Sequence, residues 1–277
     1  MLAETAYGKS GVRLVRVTRT GDRHTLRDLT LAVTFEGDYD ACYTHGVNSD
    51  VLPTDTMKNT IYAFAARETL AEPEHFGMVL AEHFLDHNPR LQRVTVDMRE
   101  HLWGRITVGG REHGQGFVRE GPESRTARVR ADRLEAQIHG GLADLVIMKS
   151  AQSAFSGFMR DQYTTLADTR DRLLATSLTA TWRYDSGTPY GPAWHAVRRT
   201  LLETFADHVS ESVQHTLYAM ARAVLDGIAE VADIHLAMPN RHHLPVDLSN
   251  FGLENRNEIF VATEEPFGVI QATLRRS

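Results

Sequence analysis

The sequence predicts an α+β chain built from two consecutive units of the same ββααββ order, each a half-buried antiparallel sheet with two helices laid on one face. Three observations carry this. Strand-like runs alternate apolar and polar residues, as in Leu29, Leu31, Val33 and Phe35 with Thr30, Ala32 and Thr34 between them. A pair of helical patterns follows such runs twice. From about Arg125 the order of hairpin, two helices and closing strands begins again, which places the unit boundaries at 1–124 and 125–277.

In chain order, Val12 to Arg19 and Leu29 to Phe35 read as a hairpin, with Gly21-Asp22 supplying the turn. Thr56 to Arg67 reads as a helix with Met57, Ile61 and Phe64 on one face. Glu74 to His87 reads as a second, carrying Phe76, Val79, Leu80 and Phe84, opened by Pro73 and closed by Asn88-Pro89. Val94, Val96 and Met98 mark a strand, and Gly116 to Arg119 its partner. The second round has strands at Ala127 to Gln137 and Leu142 to Lys149, an insertion rich in aromatic and charged residues, and a strand at Leu178 to Trp182. Helices at Trp194 to Val209 and Val213 to Val231 follow, then strands at Ile234 to Met238 and Glu258 to Ala262. Outer strands of such sheets stay unpaired unless something covers them, and self-association into a closed barrel does so.

With 277 residues, 42% hydrophobic and 24% charged, the chain can bury one large core or two modest ones. A formal net charge of −6 with scattered arginines disfavours nucleic acid as a partner. The single Cys42 forms no intrachain disulfide, and the stretch Met1 to Lys9 lacks the order of a secretory signal, so a reducing cytoplasm is expected. The C-terminal Leu274-Arg275-Arg276-Ser277 is not a peroxisomal S-K-L address. No apolar run reaches the roughly 20 residues that span a bilayer, so no membrane partner is expected.

Familiar catalytic signatures are missing. There is no phosphate-cradling G-x-x-x-x-G-K-[ST] loop, and Gly114-Gln115-Gly116 lacks the third glycine of a dinucleotide fingerprint. None of the fourteen histidines lies in an H-E-x-x-H pattern, and Ser156-Gly157 is not embedded in G-x-S-x-G. His83 and His87 sit one helical turn apart, a spacing that suits either a metal or an ordinary helix flank.

What remains is a set of polar residues at element ends: Lys9 before the first strand, Thr54 and Asp55 before the first helix, Arg172 in the insertion, Gln214 opening the last long helix, and Asn240 with His242 after a strand. Taken singly each has a plain reading, Thr54 or Asp55 as a helix N-cap and Arg172 as a solvated charge. Together they stand within longer motifs: Tyr7-Gly8-Lys9; Asn48-Ser49 followed by Thr54-Asp55-Thr56-Met57-Lys58-Asn59-Thr60; and Phe155-Ser156-Gly157-Phe158-Met159-Arg160-Asp161-Gln162-Tyr163-Thr164-Thr165-Leu166. Asp171-Arg172, Ser212-Val213-Gln214, Met238-Pro239-Asn240-Arg241-His242 and Asp247-Leu248 complete the series.

In these motifs, in order and over essentially its whole length, the chain resembles the urate oxidase (uricase) family. The resemblance implies two tandem tunnelling-fold (T-fold) units per chain, assembled as a homotetramer around a tunnel, with active sites between subunits. Lys9, Thr54 and Asp55 would come from one chain, and Phe155, Arg172, Val213, Gln214, Asn240 and His242 from its neighbour. It implies oxidation of urate by dioxygen and water to 5-hydroxyisourate and hydrogen peroxide, with no metal or organic cofactor.

In those roles Phe155 stacks on the flat ring, while Arg172 and Gln214 grip its edges from either side and the backbone N–H of Val213 or Asp55 completes the in-plane set. Lys9, Thr54 and His242 form a proton relay, and Asn240 with Thr54 holds dioxygen, peroxide or water above the ring. The departures are Ser156, where relatives often carry an aromatic residue, and Pro53, where a small residue can occur. Related T-fold enzymes that act on pterins or purine nucleotides use zinc held by histidines or cysteine, and a barrel that binds purines without turnover would need no relay.

Overall fold

The computed structural model describes residues 2–263 and 265–276. Met1 and Ser277, at the ends of the two stretches read for targeting signals, lie outside them. The chain divides into two compact units, one formed by residues up to Gly141 with 183–191, the other by 142–182 with 192 onward.

The first unit runs β1 (Ala6–Thr20), β2 (Arg23–Gly37), α1 (Asp40–His45), α2 (Thr54–Arg67), α3 (Pro73–His87), β3 (Leu91–Val108) and β4 (Arg111–Ala131). The strands pair antiparallel in that order. Gly21 takes the left-handed conformation that the β1–β2 turn requires, with φ 57°. The alternation in β2 does what period two demands: Leu29, Leu31, Val33 and Phe35 are buried in one cluster with Met57 and Ile61 of α2, Phe76, Leu80 and Phe84 of α3, and Val94 and Val96 of β3. Burial of these side chains, each worth about 1.5–3 kcal/mol, fixes the strand register, because a slip of one residue would turn the set to the opposite face.

Gly8 sits against β2 so closely that a Cβ there would lie 2.0 Å from the Val33 carbonyl oxygen. A register shift between Lys9 and Val12, at which Gly11 adopts φ 70°, breaks the β1–β2 ladder just past Lys9.

The second unit contains most of β5 (Ala136–Lys149), β6 (Leu174–Tyr184) and α4 (Tyr190–Asp207), and all of α5 (Val213–Gly227), β7 (Val231–Arg241), β8 (His243–Pro245), β9 (Phe260–Ala262) and β10 (Gly268–Arg275). β7 pairs antiparallel with β10, from Asn240 opposite Gly268 to Asp233 opposite Arg275, and β8 with β9 in a separate short ladder. Leu178, Ala180 and Trp182 of β6, Val197 and Leu201 of α4, Met220 and Val224 of α5 and Ile234, Leu236 and Met238 of β7 are all buried.

Both units keep the expected ββααββ order, but their edges differ from the sequence reading. β4 continues to Ala131 as the partner of β3, and the Asp132 carboxylate then accepts the Leu134 and Glu135 N–H groups in a tight turn before β5. The strand expected at 127–137 is therefore two strands, and a boundary at 124/125 falls inside β4. Lys9 lies within β1 rather than before it, α1 was not foreseen, and the expected closing strand at 258–262 is the short β9. The strand that completes the second unit is β10.

Candidate active site

The first unit brings three of the expected residues together. Lys9 is half-buried in β1. Thr54 and Asp55 are the first two residues of α2, whose N-cap is Pro53, with φ −57° and no side-chain cap bond. The helix begins at Thr54, two residues ahead of the expected Thr56, so the expectation that Thr54 or Asp55 caps it is corrected: the cap position falls to Pro53, and the Thr54 hydroxyl is not used for capping.

Asp55 instead accepts from Lys58 Nζ at 2.5 Å and from Asn59 Nδ2 at 3.0 Å. The Lys58 hydrogen bond, then the Lys58 charge, hold its carboxyl below the usual range, and Lys9 adds to the pull, which places the Lys9 ammonium within electrostatic reach of the first turn of α2. Tyr7 fixes the approach to this turn. Its hydroxyl accepts the Leu52 N–H at 3.1 Å and its ring meets Tyr39 edge-on at 4.9 Å, so β1 and the segment entering α2 are tied just before Thr54.

The second unit holds the other six. Residues 150–173 form an irregular segment stitched to the α4–α5 connection by backbone bonds. Ala154 N–H donates to Ser210 O at 2.7 Å, Ser210 N–H to Gln152 O at 3.0 Å and Arg172 N–H to Ser153 O at 2.9 Å, while Phe155 and Thr169 exchange bonds of 2.8 and 3.0 Å. One knot of main chain thereby sets Phe155, Arg172 and the start of α5 side by side.

The Arg172 guanidinium carbon lies 5.4 Å from the centre of the Phe155 ring. Its Nε is buried and has no hydrogen-bond partner among the described residues, and burial pulls the guanidinium down from its ordinary value. A buried, unmet donor costs about 1–3 kcal/mol, and this one finds no acceptor among the described residues.

α5 begins at Val213 behind Ser212, a true N-cap whose hydroxyl accepts the His215 N–H at 3.1 Å. Val213 is buried and Gln214 exposed. The free N–H groups of the first turn carry partial positive charge, suited to an anion rich in acceptors. At the end of β7, Asn240 is buried with its Nδ2 at 3.5 Å from Nδ1 of the half-buried His242, whose carbonyl accepts the Thr263 N–H at 2.9 Å. Arg241 between them is half-buried.

Three residues the individual side-chain reading passed over stand inside this arrangement: Phe158, stacked on Phe155, with Arg160 and Asp168 behind it. A signal existed in the close run F-S-G-F-M-R, with its glycine between two aromatic rings. His83 and His87 make a helix-flank contact, His87 Nδ1 lying 2.9 Å from the His83 carbonyl. Among the described residues no group of three His, Cys, Asp or Glu could hold a metal ion, and no helix is long and apolar enough to cross a membrane.

The repeated ββααββ order, with polar residues gathered at helix starts and strand ends of both units, defines a tandem tunnelling-fold chain. The uricase family model matches residues 5–130 and 138–271. The uricase of Arthrobacter globiformis is 40% identical over 277 residues, covering all of this chain and 90% of its own length; that of Dictyostelium discoideum is 37% identical over 281 residues, covering 100% and 98%. The crystal structure of the Arthrobacter globiformis uricase superposes with a TM-score of 0.95 over 100% of this chain and 95% of its own, and a uricase from Bacillus fastidious with 0.87 at 25% identity, over 98% and 93%. The chain belongs to the uricase family.

Proposed function

We propose that this uricase-family member, a urate oxidase, oxidises urate with dioxygen and water to 5-hydroxyisourate and hydrogen peroxide, without metal or organic cofactor, in sites completed between subunits of a homotetramer. One observation supports this reading above the others: the buried, unpartnered Nε of Arg172 beside the Phe155 ring and the first turn of α5. A stacking face, a rigid donor fork and a helix N-terminus together suit a planar anion with acceptors on its rim, and urate is such a molecule.

Urate lies on Phe155, with Arg172 gripping a carbonyl and a ring nitrogen and Gln214 pairing with the opposite edge, while the Val213 or Asp55 N–H completes the plane. The substrate supplies the electrons. Once deprotonated, the urate anion passes one electron to dioxygen, which removes the spin barrier to their combination. The protein's work is then to deprotonate, position and stabilise. Lys9 takes the proton through Thr54, whose hydroxyl is not engaged as a helix cap, and His242 moves protons on the other side; Asn240 and Thr54 hold dioxygen, peroxide or the attacking water above the ring.

Lys9, Thr54 and Asp55 lie in one unit and the other six in the second, and the sharing between subunits is tested by mixing. Lys9→Met and Arg172→Met chains, each weakly active alone, should regain activity when coassembled, with about a quarter of sites receiving both intact halves. No recovery in verified mixed tetramers would place all nine residues in one chain.

A further inference from the structure

Phe155 is not a free-standing platform. Its ring stacks on Phe158, three residues on, with centroids 4.9 Å apart and planes only 12° from parallel, and the Arg160 guanidinium carbon lies 4.6 Å from the centre of the Phe158 ring. Three flat groups thus form a column. The chain turns back sharply enough for two rings at this spacing to stack because Gly157 adopts φ 69°, a conformation that glycine takes at little cost.

The column is anchored at both ends. Gly157 N–H donates to Asp168 Oδ1 at 3.2 Å, and Arg160 pairs with the same oxygen at 3.3 Å and donates to the Leu166 carbonyl at 2.9 Å. Phe155 itself is clamped to Thr169, next to Asp168. Every member lies in the F-S-G-F-M-R-D motif, of which the proposed chemistry uses only Phe155.

We infer that Phe158, held by Arg160 and Asp168, is a positioning residue: it covers one face of Phe155 and fixes the ring's tilt, so that the opposite face alone receives the flat substrate. This rests on the urate-binding role proposed for Phe155. A ring fixed before binding loses little rotamer entropy on stacking, so the column acts on substrate affinity, equally in ground and transition states. Its loss should raise KM and leave kcat nearly unchanged, whereas general loosening of the site would lower kcat as well.

The test compares Phe158→Leu, Phe158→Tyr and Arg160→Met in the full chain, by steady-state urate kinetics and by urate binding without oxygen. Phe158→Leu should raise KM and the anaerobic dissociation constant together by roughly 3- to 10-fold, the range of one aromatic pair, with kcat within about twofold. Phe158→Tyr, which keeps the stack, should restore both, and Arg160→Met should shift them in the same direction by less. Unchanged KM in Phe158→Leu, or equal values for the leucine and tyrosine variants, would overturn the inference while leaving the urate oxidase reading intact. Should the leucine variant fail to fold, an unchanged KM in Arg160→Met overturns it. Unmodified protein that neither binds nor oxidises urate removes the role of Phe155, and the inference with it.

Discussion

Arg172→Lys separates function from stability in a single substitution. The Arg172 backbone is held by Ser153, but its Nε is buried without a partner among the described residues and its guanidinium is partly stripped of water. Lysine keeps the charge and loses the planar fork, so of two charge-assisted bonds to the urate edge at most one survives. A hydrogen bond to a charged group is worth about 1.5–3 kcal/mol, which corresponds to a KM roughly 10- to 150-fold higher. Because ground state and transition state share the contact, kcat should change far less. Folding should change little, since Arg172 Nε has no partner among the described residues for the substitution to break; the urea midpoint should stay close to the parent's. The assay pairs urate kinetics with urea unfolding of the same preparation. A KM within twofold of the parent's, or a large loss of stability, would refute the view that this guanidinium waits for substrate.

Lys9→Met should lower kcat by roughly 10²- to 10⁴-fold with urate binding retained, measured by turnover and anaerobic titration, because the residue is assigned to proton transfer rather than to holding the ring. Gly8→Ala should cost about 3 kcal/mol or more in urea unfolding, since the new methyl would stand 2.0 Å from a strand carbonyl that cannot move alone. His83, His101 and His208 are each held below the ordinary histidine value of 6.5, foremost by burial. The unfolded chain therefore binds protons that the folded chain refuses, and stability present above about pH 6.5 should fall as pH drops through the folded-state values. Unfolding midpoints measured from pH 8 to 5 should decline on the acid side, and a flat profile would contradict the assignment.

The elements legible in the sequence were those with one buried face. In β2, four alternating apolar residues admit a single register, and Pro73 opens α3 at its first position as its missing N–H allows. The strand edges were less legible. Asp132 turns the chain between β4 and β5 by a side-chain bond inside a run that reads as continuous strand, and β10 is mostly exposed, so Val269 and Ile270 give it little apolar signature. At α2, Thr54 and Asp55 are both good capping residues, yet Pro53 with its extended backbone took the position.

The candidate site shows the same division. Helix starts and strand ends marked Thr54, Gln214 and Asn240 as well placed, but their chemistry came from resemblance to a family. The joining of Phe155, Arg172 and α5 depends on main-chain bonds from Gln152, Ser153 and Ala154 to segments far along the chain, which no local pattern encodes. The Phe158 and Arg160 support was hidden because stacking through Gly157 follows neither helical nor strand periodicity.

On the proposed mechanism this chain's own residues suffice to couple urate to dioxygen. The most direct measurement follows the loss of urate absorbance by purified protein in air, with a strong chelator present and hydrogen peroxide assayed in parallel. One peroxide formed per urate consumed, at a rate the chelator does not change, is the predicted result. Urate bound without loss, or loss abolished by the chelator, would contradict it.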